Sequence, residues 1–115
     1  MIETYGSIQP LEVDMGEFKA KPTAITEGQV EASTVIWEAG GVVTGLWECT
    51  EGVFTASRDG YTEICTILSG RCKINADGEE AKEYGPGDVV VMPSGWKGQW
   101  EIIERVRKHF TTIND

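Results

Sequence analysis

Glu63 heads an apolar run, EICTILSG, that ends on Gly70. Strand side chains alternate between faces, so Glu63 points where Cys65 and Ile67 point. A carboxylate aimed into an apolar interior is costly unless partnered. Glu63 therefore stands in a wet mouth or carries a function. The polar groups nearest in sequence are Tyr61, Asp59 and Arg58. A one-residue ambiguity before Glu63 leaves open whether Arg58 or Asp59 shares its face. Further on, Trp96, Gly98, Trp100 and Ile102 lie at alternate positions of GWKGQWEII. Glycine inside a strand often marks the close approach of a ligand or another backbone. The flanking indoles offer flat apolar surface with an N–H at the edge, and Trp47 can extend that wall. A mostly apolar concavity with a few placed polar groups is the chemistry of small-molecule binding. Two plainer readings stand beside it: the tryptophans fill a core, and turn amides satisfy Glu63.

Catalytic chemistry has fewer carriers. Burial beside indoles would raise the Glu63 pKa and poise it as a general acid or base. No histidine or activated nucleophile lies near it in sequence. Cys65 shares its face, but a reactive thiolate needs a cationic neighbour, so Cys65 reads as core packing. The single histidine, His109, sits in RVRKHF. It reads as structural or surface-exposed, or, if it or Lys108 faces the pocket, as a contact for an anionic ligand. Arg105, Arg107 and Lys108 form the main basic run, either a solvated strand face or a contact for carboxylate, phosphate or a partner subunit.

These residues need elements to position them. The 115 residues make one domain, large enough for a single core without metal or disulfide. From Thr34 onward, short Val-, Ile-, Thr- and Trp-rich runs alternate with breaks such as AGG, RDG, YGPGD and PSG. That spacing predicts an all-β sandwich or barrel. Residues 1–33 read as an arm with short edge strands, and 34–115 as the barrel. A two-residue turn at Ser69-Gly70 would pair Leu68 with Arg71 and Cys65 with Ile74. Its core face would carry Cys65, Ile67, Cys72 and Ile74. The balance of 10 basic and 19 acidic residues, net charge -9, argues against nucleic acid and anionic membranes as partners. Three cysteines without a CxxC suggest neither a disulfide framework nor a zinc site. The N-terminus has no long apolar run, so the expected location is cytoplasmic.

GVFTASRDGYTEICTILSG and GDVVVMPSGWKGQWEI resemble the two motifs of the cupin superfamily. Gly52, Glu63 and Gly70 fit the first motif; Gly87, Pro93 and Gly95 fit the second. The wider pattern from residue 45 to 110 resembles the small single-domain cupins of the ureidoglycine aminohydrolase and ethanolamine-utilisation group. The resemblance implies a double-stranded β-helix, or jelly roll, assembled as a homodimer. It also marks departures. The first motif's two histidines fall on Arg58 and Gly60, or on Ser57 and Asp59 if the spacing shifts by one. The second motif's histidine falls on Gly98. Only Glu63 remains of the ligand set, and catalytic metal sites want about three protein ligands. No metal or other cofactor is therefore expected. Three functions follow: a metal-free cupin binding a small anionic or amide molecule beside Glu63, Tyr61, Arg58, His109, Trp47, Trp96, Gly98 and Trp100; a metal-dependent enzyme of small-amide metabolism; or a structural or regulatory subunit with a filled barrel.

Overall fold

In a computed structural model that describes residues 1–115, the β-branched and aromatic runs form strands and no helix appears. The strands are β1 (Lys19–Ala20), β2 (Val30–Ala39), β3 (Val42–Cys49), β4 (Gly52–Ser57), β5 (Tyr61–Ala76), β6 (Lys82–Tyr84), β7 (Val89–Met92) and β8 (Lys97–Asn114). All pairings are antiparallel. No helix is long and apolar enough to cross a membrane.

Two long strands organise the molecule. β5 and β8 run side by side from Tyr61↔Asn114 to Ala76↔Gly98. Register shifts between Ile67 and Cys72 bend the pair. One half of it belongs to a sheet in the order β1-β2-β3-β8-β5-β7. The other half belongs to a sheet in the order β4-β8-β5-β6. The two sheets face each other, which is the jelly roll. Their inner faces meet in a core that includes Cys49, Cys65, Ile67 and Val106 from one side and Phe54, Cys72, Trp100 and Ile102 from the other.

The expected hairpin at Ser69-Gly70 does not form. Gly70 has φ +84°, and a Cβ there would overlap the Arg105 carbonyl oxygen. A left-handed glycine suits a bulge as well as a tight turn. The continuous partner β8 selects the bulge. The expected core face is correct: Cys65, Ile67 and Cys72 are fully buried and Ile74 is 6% exposed. The bend changes the strand's parity just as a turn would, so both arrangements give the same inward set.

The N-terminal segment lies on the outer face of the larger sheet. Met15, Ala32 and Leu46 form a second cluster there, packed by Ile8, Val13, Phe18, Ile36 and Leu68. Arg107 fastens it. Its guanidinium donates to the Pro10 and Val13 carbonyls at 2.7 and 2.9 Å and to Glu48 at 2.6 Å. Arg105 takes the other Glu48 oxygen at 2.6 Å and lies over the Phe18 ring. The boundary expected after residue 33 falls inside β2, which already begins at Val30.

Candidate functional site

The larger sheet and strand β4 of the smaller one enclose a cavity of about 350 Å3 at the barrel mouth. Its inward positions follow from register. Ser33 pairs with Trp47, and Trp47 with Lys108. Cys65 pairs with Phe110, and Glu63 with Thr112. Paired residues share a face, so all of these point inside. Arg58 enters from the turn after β4. Its N–H donates to the Trp96 carbonyl at 2.8 Å, and its carbonyl accepts from the Gly95 N–H at 2.7 Å. That clamp settles the ambiguity before Glu63: Arg58 is buried and Asp59 is exposed.

Glu63 is the centre of a buried ion cluster. Lys108 Nζ donates to Glu63 Oε2 at 2.6 Å. Arg58 Nε lies 3.2 Å from Glu63 Oε1, close enough for attraction but not aligned as a hydrogen bond. Arg58 Nη1 donates instead to the Ser57 carbonyl at 3.0 Å. The Lys108 ammonium also sits 4.5 Å from the Trp47 ring centre and 4.6 Å from that of Trp100. Indole faces carry negative potential and stabilise a cation, most strongly when it is desolvated. Arg58 lies 5.9 Å from the rings of both Tyr61 and Trp96. Burial alone would raise the Glu63 pKa; Lys108 and then Arg58 outweigh it and hold the carboxyl below its ordinary value. The cationic neighbours therefore reverse the upward shift expected from burial alone. Two cations against one anion leave the cavity positive in an acidic chain.

Of the expected site residues, Glu63, Arg58, Tyr61 and Trp47 come together here. The others stand elsewhere. Gly98 leaves no gap: a Cβ there would lie 2.6 Å from the Trp96 ring and would overlap the Asn75 carbonyl. Trp96 fills that space and lines a separate groove with Tyr84 and Met92. Trp100 is fully buried beneath the cavity, stacked on Phe54 at 5.9 Å and edge-on to Trp47 at 5.9 Å. His109 pairs with Leu46 and so faces outward. Its Nε2 lies 2.7 Å from Thr44 Oγ1, which itself donates to the Phe110 carbonyl. Cys65 is walled in and its thiol is pushed up to about 11 by burial, so it packs rather than reacts. The basic run divides by parity, with Arg105 and Arg107 outward on Glu48 and Lys108 inward.

Lys108 is central to the folded cluster, whereas the sequence places it in the pocket only conditionally. Its signal is the alternation of Val106, Lys108, Phe110 and Thr112. Trp100 and Ile102 belong to the same even-numbered series, which keeps its phase through the register shifts and is interrupted only by exposed Glu104 at the bend. Phe54, Phe110, Ser33 and Lys21 also line the cavity. Lys21 pairs with Glu31 at 3.0 Å, and Glu31 accepts from Trp47 Nε1 at 2.8 Å, which fixes the indole.

These residues do not fit a transition metal. No three of the His, Cys, Asp and Glu side chains converge. Both Glu63 oxygens already face cations, and a third positive charge beside them would be repelled.

A jelly roll with a glycine-bounded motif pair and one inward glutamate is a cupin. The family described as the EutQ-like cupin domain matches residues 36–110, and the chain belongs to it. No curated protein matches the chain in sequence. Among solved structures, the chain is similar to the Clostridium difficile EutQ protein (21% identity, TM-score 0.68), covering 77% of this chain and 66% of that one. It is also similar to a Rhizobium leguminosarum protein of unknown function (23%, 0.65; 74% of this chain, 82% of that one). A Desulfitobacterium hafniense cupin superfamily protein compares at 18% identity and TM-score 0.64, over 74% and 78% of the two chains. Identities this low show a shared fold.

Proposed function

We propose that this cupin binds a small organic anion at the barrel mouth. Arg58 and Lys108 receive its charge, and Trp47, Phe54 and Tyr61 receive its apolar body. The supporting observation is the uneven ion cluster, in which two buried cations share one carboxylate. Arg58 keeps guanidinium N–H groups free of protein acceptors, and such a fork suits carboxylate or phosphate. The same excess charge favours an anion over a neutral amide. Binding rather than catalysis is the reading that fits the groups present. Glu63, held ionised below its ordinary pKa, is a weak base, and Cys65 is held as a thiol. The three free, buried cysteines suit a reducing cytoplasm.

Calorimetry and thermal unfolding with short carboxylates test this reading. A carboxylate at a hundredfold its Kd should add about 2.7 kcal/mol of stability. Arg58→Met should weaken that binding by about tenfold or more, since a charge-assisted hydrogen bond contributes about 1.5–3 kcal/mol. Equal binding by Arg58→Met, or a stoichiometric transition metal in the purified protein, would overturn it.

A further inference from the structure

The ligand's charge fixes one end of it; the rest of the cavity describes the other. Serine and threonine on the same strands are treated differently on the two faces. On the outer face, Thr44 and Thr111 hydrogen bond to each other at 3.1 Å, and Thr44 also meets His109. On the inner face, Ser33 and Thr112 line the cavity. They are fixed inward by pairing with Trp47 and Glu63 respectively. Neither of these hydroxyls has a partner within the protein. Ser33 is exposed and Thr112 half-buried, so both open onto the same space.

The wall between them is aromatic. Phe110 lies against Gly45, where a Cβ would stand 3.0 Å from its ring. The absence of that Cβ lets the ring lie close to the sheet. Trp47 is held by Glu31 and stands edge-on to Phe54, with ring centres 5.7 Å apart. Ring faces are electron-rich and attract the polarised C–H bonds of an oxygenated carbon chain. Free hydroxyls pair with ligand hydroxyls, which both donate and accept. A purely apolar acid would leave Ser33 and Thr112 desolvated and unpaired.

We infer that the ligand is a polyhydroxylated acid. An anionic group, carboxylate or phosphate, sits on Arg58 and Lys108. Its carbon chain lies along Trp47 and Phe110, and its hydroxyls meet Ser33 and Thr112. This rests on the anion reading above and narrows it to a class.

Titration calorimetry with four probes separates the two. Gluconate has a carboxylate and hydroxyls, and glucose 6-phosphate has a phosphate and hydroxyls. Hexanoate has the charge without hydroxyls, and glucose has hydroxyls without the charge. Gluconate or glucose 6-phosphate should bind at least about tenfold tighter than hexanoate, as two hydrogen bonds of about 1 kcal/mol each imply. Which of the two binds better identifies the anionic group. The double variant Ser33→Ala, Thr112→Val should bring the better probe down to the affinity of hexanoate. Hexanoate binding as tightly as both hydroxylated acids overturns the hydroxyl assignment and leaves the anion reading standing. Glucose binding as tightly as the better of gluconate and glucose 6-phosphate, or no binding by any probe, overturns both.

Discussion

At Glu63 the sequence carried the position and not the partners. Parity with Cys65 and Ile67 placed the carboxylate inside, where it is 6% exposed. Its counter-ions come from a turn and from a strand 45 residues later, and no local pattern joins them. Removing one partner of a buried pair costs about 3–5 kcal/mol, because the remaining charge is stranded. Glu63→Gln strands two cations and should cost about 3 kcal/mol in urea unfolding at pH 7. The pH profile tests the same cluster. The folded pKa of Glu63 lies below its unfolded value of 4.5. Its stabilisation is therefore complete above that value and disappears as the pH falls through the folded one. Relative to the native protein, Glu63→Gln should be far less stable at pH 6 and gain ground steadily on acidification below 4.5. An unchanged difference between the two from pH 6 to pH 3 would contradict the cluster. Lys108→Met removes the stronger of the two cationic influences, so the Glu63 carboxyl resonance should titrate at higher pH in carbon NMR.

Among the elements, β5 and β8 show what patterning can and cannot say. Period-two alternation gave the inward faces of both halves of β5. It gave them under the wrong connectivity, because a turn and a bulge at Gly70 bring the same side chains inward. The difference lies in whether β8 pairs along the whole of β5, a non-local fact. Likewise GQWEII and VRKHFTTI read as separate runs but are one strand. Gly98 looked like a gap from its spacing, while the folded chain puts the Trp96 indole into it. The bend itself yields a prediction. Gly70 and Gly78 have nearly equal φ, +84° and +80°, so alanine strains both backbones by about 1 kcal/mol. At Gly78 a Cβ meets nothing within 4 Å, whereas at Gly70 it overlaps the Arg105 carbonyl. Gly78→Ala should cost about 1 kcal/mol. Gly70→Ala should cost about 3 kcal/mol or more, because the carbonyl belongs to the paired strand and has nowhere to move. Equal losses in chemical denaturation would mean that the two long strands are not locked together at the bend.

Across the whole molecule, two apolar clusters lie on opposite faces of one sheet. The inner one fills the barrel, and the outer one holds residues 1–18. Composition points to an arm there, but its docking depends on a side chain more than ninety residues away. Arg107 is that link, since it joins the Pro10 and Val13 carbonyls to Glu48 on β3. Truncating it loses charge-assisted hydrogen bonds to two carbonyls, while Glu48 keeps Arg105. Each such bond contributes about 1.5–3 kcal/mol when well formed. Arg107 is not part of the barrel core, so the loss should fall on the arm alone. Arg107→Ala should therefore be cut rapidly by protease within residues 1–18, leaving a resistant barrel. The three buried thiols report whether that barrel stays closed. Burial pushes Cys49 and Cys72 up to about 12 and Cys65 up to about 11, so none should react with an aromatic disulfide reagent at pH 8 in the folded state. All three should react in denaturant. If Arg107→Ala exposes thiols at the rate at which the arm is cleaved, the arm and barrel unfold as one unit. Arm cleavage with the thiols still protected establishes that the outer cluster opens independently of the core.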